Sequence, residues 1–208
     1  MKNIIYSLFE PSKHIVVIRK GKYRRFFRQL DFLKSVNHDN WAISRKDIFN
    51  AVKSKKNVFE ITIMIALWSY PSNAHGLATK IIIQKKKLVS LFEEDKKIND
   101  LDGLKSLYKK YKFPGFGFTT FTKFLYFLGF TVDKVPCIIL DLKIIWLIKN
   151  GHIKFLPEFE YTPTYSNHEF YFEYIKKMKS FSDKINCKPD QVELAIYLLG
   201  GKYPILKN

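Results

Sequence analysis

The sequence predicts an all-α fold. Three observations predict it. Apolar residues recur at helical spacing along most of the chain, capping residues precede several of those runs, and no segment alternates apolar and polar residues long enough to suggest a strand ladder. Residues 1–40 are the least legible and are expected to pack on the core as an N-terminal segment, with His14-Ile-Val-Val-Ile18 readable as a short strand or a buried helical turn. Within that segment Lys20–Arg28 is a basic-aromatic cluster, suited either to following phosphates or to forming a solvated face.

Ser44 with Asp47 has the form of a capping box and opens a helix running to about Lys53. Asn57 caps the next, Phe59–Trp68, whose almost unbroken apolar character suits a buried helix. Ser69–Gly76 breaks it. Leu77 to about Glu93 is amphipathic, and Asn99–Lys112 carries Leu101, Leu104, Leu107, Tyr108 and Tyr111 at helical spacing. After a Gly115-Phe-Gly117 turn, Thr119–Leu128 and Asp141–Lys149 follow, the latter stopped by Asn150-Gly151. Residues 152–167 read as loop, Glu169–Lys184 as helix, and Pro189 starts a last helix in which Asp190 and Glu193 have capping-box spacing. Gly200-Gly201 ends it.

Composition narrows the partner. The chain of 208 residues is 47% apolar, enough for a packed core, and carries 36 Lys+Arg against 19 Asp+Glu, a net +17. Such a surface attracts polyanions, although a Lys-rich composition bias also accounts for charge. Cys137 and Cys187 stand far apart with no His at ligand spacing, so no metal and no cofactor is expected, and both thiols are expected to be reduced. The apolar runs are too short or too interrupted for a bilayer, and the N-terminus is too weakly apolar for a signal peptide. The expected location is the cytoplasm, with no membrane partner.

The segment Phe113–Asp141 carries the chemistry. Gly-x-Gly between helices permits a sharp turn with positive φ and leaves amides free at the second helix's start to hold a phosphate. Gly115, Gly117, Thr119 and Thr120 are therefore candidate DNA-backbone contacts. A plain helix–helix turn is the simpler reading. Lys123 stands alone in an apolar helix, and Asp141 follows Cys137-Ile-Ile-Leu140 directly. One amine and one carboxylate fit nucleophilic attack on a sugar carbon, whereas a snorkelling lysine and a helix N-cap are the structural alternatives.

Gly115–Trp146 resembles the helix-hairpin-helix DNA glycosylase superfamily, most of all its bacterial 8-oxoguanine-glycosylase-like branch, through Thr122-Lys-Phe-Leu-Tyr-Phe127 and Ile138-Ile-Leu-Asp141. Ala66–Pro71 with His75-Gly76, and Pro189–Gly200, extend the likeness more loosely. The resemblance implies two helical lobes, here 41–135 with the hairpin and 136–208 with the aspartate, flanking a cleft. It implies a monomeric DNA glycosylase with AP-lyase activity on an oxidised or modified base flipped from double-stranded DNA, with Lys123 as nucleophile and Asp141 as electrostatic partner. A lysine desolvated among Phe121, Phe124 and Phe127 should titrate below its usual range. Trp68, Tyr70, His75, Phe170 and Tyr171 are the aromatic candidates for a base pocket, each equally suited to core packing.

In one respect the chain departs from the branch. Better-known members place the lysine two residues after the second hairpin glycine, where this chain has Thr119. Lys123 lies one helical turn on, along the same face. Either Lys123 has taken the role or the lysine chemistry is absent, which leaves a non-catalytic DNA-binding module or a subunit of a bacterial defence or repair assembly as the alternative. The Lys-, Asn-, Ile- and Phe-rich composition suggests an AT-rich bacterial genome, with repair or attack on modified phage DNA as the setting.

Overall fold

A computed structural model of the chain describes residues 10–19, 40–54, 57–71, 76, 80–81, 83–153, 156 and 168–199. His75, the Lys20–Arg28 cluster, most of the loop expected over 152–167 and Gly200-Gly201 lie outside the described residues. The chain forms two compact units, one from the described residues within Met1–Pro11, Asp95–Lys112 and Gly117–Asn208, the other from those within Ser12–Glu94 and Phe113–Phe116.

The all-α expectation is overturned. The protein is mainly helical, but its described residues hold five strands in two sheets. In the second-named unit, β1 (Ile15–Arg19) pairs antiparallel with β2 (Asn40–Ser44), in the register Ile15 with Ser44 to Arg19 with Asn40. The His14–Ile18 segment is thus a strand, with Ile15 and Val17 exposed and Ile18 buried. Its partner is about twenty residues away and only five residues long, so local patterning gave no sign of the pairing.

Helix α1 (Arg45–Lys53) starts on a complete capping box: the Asp47 amide donates to Ser44 Oγ at 3.1 Å, and the Ser44 amide to Asp47 Oδ2 at 2.8 Å. Helix α2 (Val58–Ser69) is capped by Asn57 and buries Ile61, Ile63, Ile65, Ala66, Leu67 and Trp68. It is buried on nearly every side, which is why it reads as a continuous apolar run. Of the amphipathic helix expected from Leu77 to about Glu93, residues 77–79 and 82 lie outside the described residues, Lys80, Ile81 and Ile83 are helical, Gln84 is a turn, and α3 (Lys85–Val89) tightens into a 3-10 turn, Ser90–Phe92. Leu88 and Leu91 are its buried residues. Phe113 and Phe116 stack at 4.9 Å within the same unit.

In the other unit, β3 (Lys97–Ile98) runs parallel to β4 (Thr131–Val132), which pairs antiparallel with β5 (Val135–Pro136). The β4–β5 turn places Asp133 and Lys134 at φ 49° and 62°. Two-residue strands around a turn without glycine leave no period-2 signal to read. Helix α4 (Leu101–Tyr111), capped by Asp100 at Gly103 N (2.8 Å), packs against α7 (His168–Lys184), which also packs on α8 (Pro189–Leu199). Between them in the chain lie α5 (Phe118–Phe127) and α6 (Leu142–Lys149). Helix α6 ends at Asn150-Gly151, where the amides of Gly151 and His152 return to Ile148 O and Leu147 O.

The capping role expected of Asp190 and Glu193 is also overturned. Pro189 is the first helical residue, so Gln191 is the residue that reaches back, its Oε1 accepting the Lys188 amide at 2.9 Å. Asp190 Oδ2 instead accepts the Tyr126 hydroxyl at 3.1 Å, and Glu193 is buried. Among the described residues no helix is long and apolar enough to cross a membrane.

Candidate catalytic site

Helix α5 begins at Gly117, which is its N-cap with φ −72° and ψ 166°. Of the two hairpin glycines only Gly115, at φ 91°, needs the left-handed region. A Cβ at Gly117 would meet nothing within 4 Å, so the expected positive φ holds for one glycine and not the other. Gly117 O accepts the Thr120 and Phe121 amides at 3.0 Å each. Thr120 is buried with its amide already bonded, and Thr119 is half-buried with its carbonyl taken by Thr122 Oγ1. Among the described residues no acceptor meets the amides of Gly117, Phe118 and Thr119. Those three sit at the positive end of the helix dipole.

Every residue from Thr120 to Phe127 is buried, Lys123 included, at 7% exposure. A cation in that position is tolerable only with a partner. The partner is Asp141: Lys123 Nζ lies 2.9 Å from Asp141 Oδ2. The amine therefore faces a carboxylate, and not the wholly apolar surround that its sequence neighbours suggested.

Asp141 is the N-cap of α6, its Oδ1 accepting the Lys143 amide at 3.1 Å. The cap and ion-pair readings are both present, one on each carboxylate oxygen. Burial pushes the Asp141 carboxyl up, but the Lys123 ammonium, the hydrogen bond from it, the Lys143 amide and the Lys143 charge outweigh that and hold it below its usual range. It is a carboxylate at neutral pH.

The approach to Asp141 is fixed by side-chain hydroxyls. Residues Cys137–Leu140 are buried in a non-repetitive conformation, so their main-chain groups need partners from elsewhere. Thr122 Oγ1 accepts the Leu140 amide at 3.2 Å while donating to Thr119 O at 2.9 Å. Tyr171 donates to Ile138 O at 2.9 Å, and Tyr174 to Ile139 O at 3.1 Å. Thr122 and Tyr174 were not visible as site residues in the sequence, since a helical threonine and one aromatic among many carry no signal.

The remaining candidates fall as follows. Tyr171 is fully buried, its hydroxyl committed to Ile138 O, and Phe170 is buried and stacks on Tyr174 at 6.4 Å. Trp68 and Tyr70 belong to the other unit. There Trp68 is buried with the Arg45 guanidinium 5.3 Å from its ring centroid and His14 edge-on at 5.4 Å, whereas Tyr70 is half-buried at the end of α2. Both cysteines are free thiols. Burial pushes Cys137 up to about 12, against a weaker opposing hydrogen bond with Tyr171, so it is no nucleophile. Among the described residues no group of His, Cys, Asp and Glu could hold a metal ion.

A family model described as "Putative 8-oxoguanine DNA glycosylase OGG-like protein" matches residues 10–197 of the chain. No curated protein and no solved structure matches it.

Proposed function

The chain belongs to this 8-oxoguanine DNA glycosylase OGG-like family, and on that premise we propose that it is a bifunctional glycosylase with Lys123 as nucleophile. The observation that carries the reading is the 2.9 Å contact between Lys123 Nζ and Asp141 Oδ2 inside one compact unit. An amine and a carboxylate so close can address one sugar carbon together.

The reaction requires the amine to give up a proton, which passes to solvent while Asp141, held below its usual range, stays a carboxylate. The Lys123 nitrogen then forms a bond to C1′ as the C1′–base bond breaks, and the departing base leaves as an anion that takes up a proton. Opening of the sugar ring breaks C1′–O4′, moves a proton to O4′ and leaves a Schiff base. Loss of a C2′ proton then expels the 3′ phosphate and nicks the strand. While positive charge develops on the sugar, the Asp141 carboxylate is the fixed counter-charge. The open amides of Gly117, Phe118 and Thr119 suit a backbone phosphate, which would hold the strand without reading its sequence. Double-stranded DNA with a flipped, oxidised or otherwise modified base is the proposed substrate.

Thr119 in place of a lysine two residues after Gly117 favours a second reading, a DNA-binding module without chemistry. Borohydride reduction in the presence of duplex DNA containing 8-oxoguanine or an abasic site separates the two. A covalent protein–DNA adduct is expected from the wild type; stable binding without any adduct would leave only the binding module.

A further inference from the structure

Helix α6 starts at the proposed catalytic aspartate and turns an apolar face outward. Leu142 and Trp146, at i and i+4, are 49% and 53% exposed, and Lys149 is exposed one turn further on. Trp146 is too exposed to be a core residue. Its ring is nevertheless oriented: His152, placed by the chain reversal after Asn150, stacks on the indole at 5.3 Å with the planes 25° apart. His152 occupies one face of the indole, and half the residue's surface stays open to another ring. On the same helix Lys143 is drawn away to α8, where its Nζ donates to Tyr197 O and lies 5.1 Å from the Tyr197 ring centroid.

We propose that the Trp146–His152 stack is a platform for an unpaired base of the strand held at the Lys123–Asp141 site. The proposal rests on the glycosylase reading. Three observations choose the occupant. The platform stands on the helix that Asp141 caps, five residues of helix rise from it, about 7.5 Å or roughly two base steps along the axis. The chain carries a net +17 charge, and Lys149 borders the patch, which favours a polyanion over an apolar partner. A stacked indole meets any base through its π-face, without sequence preference. Extruding one nucleotide strips its neighbours of a stacking partner, and the platform replaces that loss.

The test uses the full chain and two DNA probes carrying the same non-cleavable abasic analogue, one fully paired and one with two unpaired nucleotides beside the analogue. Trp146→Ala should weaken binding to the unpaired probe by about tenfold and to the paired probe by less, while Trp146→Phe keeps wild-type affinity within about threefold. Indole emission of the wild type should fall on binding the unpaired probe, and that change should be missing in Trp146→Phe. Equal weakening on both probes, or no weakening on either, overturns the platform. So does a Trp146→Ala variant that binds both probes normally but changes its sedimentation, which would make the patch a contact between copies of this chain. Wild-type protein that yields no borohydride adduct but keeps the probe-dependent loss in Trp146→Ala would refute the lyase reading and not the platform.

Discussion

Thr122 and Leu140 are joined by a hydrogen bond, Leu140 N to Thr122 Oγ1 at 3.2 Å, that runs beside the Lys123–Asp141 ion pair one residue further along both segments. The two contacts form a two-rung connection between α5 and the segment leading into α6. The first rung sets the backbone from which Asp141 projects, and the second is the pair itself.

Removing the first rung should therefore misplace the second. Thr122→Val keeps the shape and deletes the acceptor, leaving the buried Leu140 amide unpaired. Unfolding free energy should drop by about 1–3 kcal/mol. Single-turnover base removal should slow at saturating DNA with affinity little changed, and Thr122→Ser should restore both. A purely structural threonine would lower stability without altering the single-turnover rate in the folded protein.

Lys123→Gln should abolish borohydride trapping while duplex affinity stays within a few-fold, because the buried amine is not placed as a phosphate contact. Full lyase activity in the purified variant would remove Lys123 from the chemistry.

Asp141→Asn separates cap from catalyst. Asparagine caps helices about as well as aspartate, so α6 should persist. Base removal should fall by about 10²-fold, as the counter-charge on the sugar is lost. Retained turnover with only a lower melting temperature would make Asp141 a structural cap.

The acid limb of stability should carry the same residue's signature. The carboxyl is held below its ordinary 3.8 when folded, so the unfolded chain binds the proton more readily. The pair's contribution is complete above that ordinary value and is lost as pH falls through the lowered one. Urea unfolding across about pH 2 to 6 should show a shallower decline in Asp141→Asn than in the wild type. Parallel curves would mean that the pair contributes nothing to acid stability.

The hairpin glycines should respond unequally. Gly115→Ala forces a side chain to φ 91° and should cost about 1–2 kcal/mol, whereas Gly117→Ala, at φ −72° with open space around its Cβ, should fold normally. Gly117→Val is expected to weaken DNA binding alike on all sequences by crowding the open amides. Affinity should fall steeply with salt, the slope counting neutralised phosphates. A binding constant that hardly changes between low and moderate salt would point away from the DNA backbone.

Lys123 and Asp141 could be found in the sequence because each is a lone charge in an apolar run, and a buried charge must be matched. The helix starts at Ser44 and Asn57 were legible because capping is local. What escaped was non-local or ambiguous. The β1–β2 pairing joins segments that do not announce each other, and Asp190 fits cap spacing while its carboxylate serves Tyr126 from a different helix. Thr122 escaped because its acceptor role exists only once Leu140 has been brought to it.

The hydroxyl contacts of Tyr171, Tyr174 and Thr122 all land on peptide groups, never on the side chains of Ile138, Ile139 or Leu140. This divides the freedom to vary unevenly. The three aliphatic positions are free to exchange among residues of similar bulk without displacing the aspartate, because what anchors them is common to every amino acid except proline. The three hydroxyl-bearing residues have no such latitude, since phenylalanine or valine would fill the same space and let the segment slip. Drift in this lineage should accordingly be seen first in the residues nearest the carboxylate and last in the remote ones that hold it.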